Sequence, residues 1–270
     1  MNYQLISTDM DGTLLDSDKL IPKENIEALH ILQDKGIKIM FSTGRPIQSA
    51  MTYAASINID ASFGASNGAA ISYEDYLETI LLDKEQIIKT AKICDELNFE
   101  YIIYTENMGY YTSLDIYSEY HRDNNLVRAN AVPKIVFNTI QDIMDLDDMN
   151  KIIKADFFDP KSRIMDIYPQ FPIDLNKSNV ILQDESIIEI INKKASKGKA
   201  VKKVAEYYKI PREKIIAIGD GGNDVSMLEY AGCGIAMGNA GDIVKSKADM
   251  VTDANDNLGF VKALEKLNML

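Results

Sequence analysis

The sequence predicts an α/β fold in which a parallel sheet with crossover helices is interrupted by an α+β insert. Three observations carry this. Short apolar runs are each followed at once by a polar or Gly-rich loop and then a stretch of helical periodicity, the pattern of parallel strands joined by crossovers. The same alternation resumes in the last third of the chain. The middle is punctuated differently, with prolines at 133, 160, 169 and 172.

The elements follow in order. Residues 3–9 (YQLISTD) read as a short buried strand ending in polar residues. Pro22 opens a helix in which Ile26, Leu29 and Leu32 share one face, and Gly36 ends it. IKIMFS (37–42) is a second strand, closed by Thr43-Gly44-Arg45-Pro46, and a helix then runs to about Ser56. In the middle, a helix over 85–97 precedes the aromatic hairpin YIIYTENMGYYTS (101–113), and KIVFNT, IIKADFF and RIMDIYP are strand candidates. Near the end, Ala200, Val201, Val204, Ala205 and Tyr208 recur at helical spacing up to Pro211. IIAIG (215–219) is a buried strand, 225–230 a helix and CGIAMG (233–238) another strand. The two outer segments, 1–82 and 191–270, form a Rossmann-like core, and 83–190 is the insert.

At 270 residues the chain is comfortable for two domains, because single cores stop growing near about 250 residues. Its 46% hydrophobic and 26% charged residues exclude a disordered or fibrous chain. No apolar run is long enough to cross a membrane, and the N-terminus reads as a first strand, not a signal peptide. Cys94 and Cys233 lie far apart with no CxxC, which fits a reducing cytoplasm, and His30 and His121 are too few for a multi-histidine metal site. The formal charge of −12 argues against a nucleic-acid partner. The insert carries 11 basic and 20 acidic residues, so most of the acidity lies there and reads as a solvated surface. An acidic protein that binds a phosphate ester must reverse its charge locally, with a divalent metal and a few cations.

Four short motifs carry chemistry. Asp9-Met10-Asp11-Gly12-Thr13 follows the first strand, and two carboxylates two residues apart at a strand end can face one centre, one as nucleophile and one as general acid/base. Gly219-Asp220-Gly221-Gly222-Asn223-Asp224 follows strand 215–219; its glycines admit close backbone approach, and Asp220 and Asp224 offer hard oxygens suited to Mg²⁺. Thr43-Gly44-Arg45 offers a hydroxyl and a glycine N–H for a phosphate cradle. Lys197, in Ser196-Lys197-Gly198-Lys199, opens a helix and can bridge phosphate and carboxylate charges. The bland readings differ in weight: DMDGT is a rare pattern against an Asp-rich turn with a helix cap, GDGGND alone reads equally well as a Gly/Asp/Asn turn, Thr43-Gly44-Arg45 alone reads more readily as an ordinary strand-to-helix turn, and Lys197 alone as a surface lysine. Together, three of them stand at the carboxyl ends of predicted parallel strands, where open α/β sheets place ligands, and the inventory suits phosphoryl transfer.

The order DMDGT, STGR, SKGK and GDGGND resembles the haloacid-dehalogenase-like (HAD) hydrolase superfamily, and within it the Cof-type sugar phosphatases. Asn67-Gly68-Ala69 and Ala236-Met237-Gly238-Asn239-Ala240 are similar to that subgroup as well. The resemblance implies a HAD core with a Cof-type (C2B) α/β cap that closes over the site and selects the substrate; the topology, with two halves of one parallel sheet flanking the insert, puts the expected hinges near 80–85 and 187–192. It implies that Asp9 attacks phosphorus to form an aspartyl-phosphate, and that Asp11 protonates the leaving alcohol and then activates water. Mg²⁺ would sit between Asp9, the backbone carbonyl of Asp11 and Asp220, with Asp224 supporting it. Thr43, the Gly44 and Met10 N–H groups, Arg45 and Lys197 would hold the phosphoryl group, with Asn223 on phosphoryl or substrate. Arg122 is an example of a cap side chain with suitable chemistry, but no cap residue is assigned. The expected activity is Mg²⁺-dependent hydrolysis of small phosphate monoesters, sugar phosphates first. A related sugar phosphomutase and a non-catalytic phospho-receiver or sugar-phosphate-binding regulator are the alternatives. A dehalogenase would lack the Asp11 carboxylate, and no GxGxxG follows the first strand to bind a dinucleotide.

Overall fold

The computed structural model describes residues 3–113, 132–159, 163–182 and 187–270. It divides into two compact units, Met1–Glu78 with Ser196–Leu270, and Thr79–Ala195. Arg122 lies outside the described residues.

The first unit is built on β1 (Leu5–Thr8), β2 (Lys38–Ser42), β3 (Ala61–Ala65), β4 (Ala70–Tyr73), β5 (Tyr76–Thr79), β12 (Ile215–Gly219), β13 (Cys233–Ala236) and β14 (Met250–Val251), in the order β14-β13-β12-β1-β2-β3-β4-β5. The strands from β14 to β3 run parallel, and β4 turns back antiparallel on β3. β1 and β12 are buried along their whole length, as strands covered on both faces are; β12 (IIAIG) accordingly runs apolar without alternation, while in β1 the buried Ser7 hydroxyl is satisfied by donating to Ser42 Oγ at 3.0 Å. Helix α1 (Lys23–Asp34) buries Leu29 and Leu32, and Gly36 follows it at φ +75°, the left-handed conformation that ends a helix without steric cost. Helix α2 (Ile47–Ser56) buries Ile47, Ala50, Tyr53 and Ala54. The helix Lys197–Tyr207 buries Ala200, Val201, Val204 and Ala205, which join Leu5, Met40, Ile215 and Ala217 in one core cluster.

The second unit holds a six-stranded sheet, in the order β10-β11-β9-β6-β7-β8. Its strands are β6 (Glu100–Thr105), β7 (Gly109–Tyr111), β8 (Lys134–Val136), β9 (Ile152–Phe158), β10 (Ser178–Leu182) and β11 (Ile187–Asn192). Helix α3 (Lys84–Leu97) contributes Ile87, Ala91 and Cys94 to a core shared with Tyr101, Ile103, Ala155, Phe157, Ile188 and Ile190. The period-2 alternation of β9 sends Ala155 and Phe157 into that core. Lys154 and Asp156 are also buried, and the Lys154 ammonium lies 3.0 Å from Asp156 and 3.1 Å from Glu189. The acidity of this unit is therefore not all surface.

One predicted element is corrected. RIMDIYP was expected as a strand, but Ile164–Ile167 is a helical turn continued by a 3-10 turn over Tyr168–Gln170. The Asp159 carboxylate accepts from the Arg163 backbone N–H at 2.6 Å and pairs with its guanidinium, which starts the turn, and Pro169 and Pro172 break any ladder. The strands that join β9 on that side are instead β11 and, beyond it, β10.

Candidate active site

Adjacent parallel strands place the site. Thr8 of β1 pairs with Phe41 of β2 and with Ile218 of β12, so Asp9, Thr43 and Asp220 all leave the sheet at neighbouring carboxyl ends. Asp9 is buried; its N–H donates to the Ile218 carbonyl at 2.9 Å, and its Oδ1 accepts from the Met10 N–H at 2.7 Å. The Met10 N–H, expected on a phosphoryl oxygen, is thus engaged with Asp9 here. Gly12, at φ +71°, turns the chain back.

Lys197 is buried at the start of its helix, where Ser196 caps the N-terminus by accepting from the Lys199 N–H. Its ammonium stands 3.0 Å from Asp9 and 2.5 Å from Asp224. Burial disfavours the ammonium, but Asp224 and Asp9 outweigh it and hold its pKa above the ordinary value. The second Asp224 oxygen accepts from the backbone N–H groups of Asp220 at 2.9 Å and Gly221 at 2.8 Å. Asp224 therefore ties the GDGGND loop to the lysine.

Oxygens of Asp9, Asp220 and Asp224 lie within 4.8 Å of one another. Burial pushes the Asp9 carboxyl well above the usual carboxylate range, helped by Asp224 and opposed by Lys197. Burial and Asp224 push Asp220 up to about 6, although Thr13 donates to its Oδ1 at 2.9 Å. Three carboxylates against one ammonium leave a local excess of two negative charges. Buried oxygens that would otherwise take up protons are the donor set a hard divalent cation fits. The Asp11 side chain is not in this cluster. It pairs with Arg45 through two hydrogen bonds of 2.6 Å and with Lys19 at 3.2 Å.

Thr43 is buried, and its hydroxyl accepts from the Arg45 N–H at 3.1 Å. Gly44 stands beside Asn67, whose Oδ1 would lie 3.4 Å from a Cβ there. Asn223 donates from Nδ2 to the same Asn67 oxygen at 2.8 Å. Thus Asn67 joins the Thr43 and GDGGND segments. Asn239 donates to the Gly12 carbonyl at 2.9 Å and to Asp220 at 3.2 Å, binding the first and last motifs together. Sequence reasoning assigned no role to Thr13, Lys19, Asn67 or Asn239. For Asn67 the available signal was the turn-forming Asn67-Gly68 pair; Ser66, Asn67 and Gly68 take left-handed φ of 47°, 56° and 87°.

Comparison with known proteins identifies the family. Residues 6–264 match the haloacid dehalogenase-like hydrolase family. The chain is 32% identical to phosphatase YwpJ of Bacillus subtilis, covering 98% of this chain and 99% of that one. It is 30% identical to the 5-amino-6-(5-phospho-D-ribitylamino)uracil phosphatase YitU of the same organism, over 97% and 96% of the two chains. A haloacid dehalogenase-like hydrolase structure from B. subtilis superposes with a TM-score of 0.84 at 29% identity, covering 98% of this chain and 99% of that one. The fold is shared with the subclass IIB sugar phosphatase BT4131, at a TM-score of 0.81 and 24% identity over 99% and 100% of the chains. The chain belongs to the haloacid dehalogenase-like hydrolase family and is a phosphoric monoester hydrolase.

Proposed function

We propose that the protein is a Mg²⁺-dependent phosphatase that hydrolyses small phosphate monoesters of sugars and related polyols through an aspartyl-phosphate on Asp9. The observation that carries this reading is the buried Asp9 carboxylate held at 3.0 Å by Lys197 inside a three-carboxylate cluster. An Asp9 oxygen attacks phosphorus, the bond from phosphorus to the ester oxygen breaks, and Asp11 gives its proton to the leaving alcohol. Asp11 then takes a proton from water, whose oxygen attacks phosphorus and frees phosphate and Asp9. Lys197 holds Asp9 in line and neutralises charge, with Thr43 and the Gly44 N–H on the phosphoryl oxygens. Asp9 and Asp220, with the Asp11 backbone carbonyl and support from Asp224, would hold Mg²⁺, which when bound supplies the positive charge that lets an anionic ester approach these carboxylates.

Substrate choice is assigned to the insert, 83–190. YitU acts on the phosphate of a ribityl chain, by its name, and a polyol phosphate of that kind stands beside hexose phosphates as a candidate class. The buried cysteines, Cys94 and Cys233, suit a cytoplasmic setting. The test is a phosphate-release screen over sugar, polyol and nucleotide phosphates with Mg²⁺, repeated with Asp9→Asn. Turnover of alkyl phosphates by the wild type alone is expected. Near wild-type turnover by Asp9→Asn would remove Asp9 as nucleophile, and an isomerised sugar phosphate without free phosphate would make the protein a mutase.

A further inference from the structure

The Arg45 side chain, expected on the phosphoryl group, is committed elsewhere. Its Nε donates to Oδ2 of Asp11 and its Nη2 to Oδ1, both at 2.6 Å, a bidentate fork that fixes the plane of the carboxylate as well as its place. Lys19 reaches Oδ1 of the same carboxylate at 3.2 Å from a residue at φ +60°, inside a turn closed by the bond from the Lys19 N–H to the Asp16 carbonyl. Both cations rest on one aromatic residue. The Arg45 guanidinium lies 4.9 Å from the centre of the Tyr53 ring, and the Tyr53 hydroxyl donates to the Lys19 carbonyl at 3.2 Å. Tyr53 is buried on α2, so it anchors the ring Asp11–Arg45–Tyr53–Lys19 to the core. Asp11, by contrast, has a side chain 34% exposed and sits on a loop that turns at Gly12. Left to itself, such a side chain would sample several rotamers.

We infer that Arg45, Lys19 and Tyr53 form a clamp that positions the Asp11 carboxyl, making Arg45 a positioning residue and not primarily a phosphoryl ligand. This rests on the reading of Asp11 as the acid/base. The Arg45 nitrogen outside the fork, Nη1, is buried and has no hydrogen-bond partner among the described residues; its N–H groups and the second N–H of Nη2 are the donors left for a direct phosphoryl contact.

The experiment crosses Arg45→Met, Arg45→Lys and Tyr53→Leu with Asp11→Asn. Turnover of a sugar phosphate and single-turnover release of 4-nitrophenol from its phosphate ester are measured, and inorganic phosphate is titrated calorimetrically into each variant with Mg²⁺. If the clamp acts through Asp11, Arg45→Met lowers kcat on the order of 10–100-fold while Asp11 is present, and has little further effect in Asp11→Asn. Tyr53→Leu follows with a smaller loss of the same pattern, Arg45→Lys recovers part of the rate, and the affinity for inorganic phosphate stays constant. An equal fold-loss in both Asp11 backgrounds, or phosphate affinity falling in step with the loss of Arg45, overturns the clamp and makes Arg45 a phosphoryl ligand. The phosphate titration decides this even for a variant with no measurable turnover. Where Arg45→Met does not fold, Arg45→Lys and Tyr53→Leu carry the same cycle. Absence of phosphate release by the wild type, or persistence of turnover in Asp9→Asn, would instead count against the proposed function.

Discussion

A Cβ at Gly12 would lie 2.3 Å from Oδ2 of Asp220, so the turn after Asp9 and the loop after β12 interlock only because residue 12 has no side chain. The backbone demands glycine as well, at φ +71°. Gly36 separates the two effects, since at φ +75° a Cβ there would meet nothing within 4 Å. Alanine at either position should cost about 1 kcal/mol in backbone strain. Gly12→Ala should in addition displace Asp220 and lower kcat/KM on the order of 100-fold, whereas Gly36→Ala should leave the rate near that of the wild type. Denaturant unfolding and steady-state kinetics on both variants check this; equal activity in the two would refute the interlock.

Lys197 is the sole cation found in contact with Asp9 and Asp224 among the described residues, and all three are buried. Removing one partner of a buried pair leaves uncompensated charge and costs about 3–5 kcal/mol. Lys197→Met should therefore lose both stability and turnover. Adding Asp224→Asn should restore part of the stability, because it removes one of the two stranded carboxylates, while turnover stays absent. Denaturation midpoints of the single and double variants measure this. A Lys197→Met protein as stable as the wild type would mean that Lys197 is not needed to offset those charges.

The pH dependence follows from Asp220, which burial and then Asp224 raise from 3.8 to about 6. A carboxyl whose folded pKa lies above its unfolded one binds its proton more tightly in the native state. The associated stability is complete below the unfolded value and is lost as pH rises through the folded one. Without metal, this contribution should decline between about pH 4 and about pH 6. On the proposed reading Mg²⁺ at Asp220 would compete with that proton, so the rise in Tm on adding Mg²⁺ should be larger at about pH 7.5 than at about pH 5. Thermal melts with and without Mg²⁺ at both pH values test it, and an unchanged increment would argue that Asp220 is not a metal ligand.

What could be read from the sequence was local. β12 is the run IIAIG, and Asp9, Thr43 and Asp220 stand directly after apolar strands, so contiguous motifs disclosed where the chemistry gathers. Elements without a contiguous apolar signature were not legible. β3 is ASFGA, largely small residues, and β5 is YLET, with Tyr76 and Leu77 exposed. The RIMDIYP segment carried residue types favoured in strands, Ile164, Ile167 and Tyr168, but its backbone is set by the Asp159–Arg163 pair, which propensity does not encode. Partners distant in sequence were also hidden. Arg45 meets Asp11 across 34 positions and Asn223 meets Asn67 across 156, so the residue types were visible but the pairings were not.

The proposed separation of chemistry from substrate choice gives the last prediction. Every residue of the site described above lies in the unit Met1–Glu78 with Ser196–Leu270, and the core cluster of the other unit is drawn wholly from Leu82 to Ile190. An insert with its own buried core can be exchanged without emptying the core of its host. Substituting residues 79–195 with the corresponding segment of YitU should therefore give a folded chimera. Its ranking of phosphate esters should move toward ribityl phosphates, while dependence on Asp9 and Lys197 is unchanged. The check is kcat/KM over a panel of sugar and polyol phosphates for the chimera and for its Asp9→Asn form. A folded chimera with the parental ranking would place specificity in the segment that also carries the carboxylates.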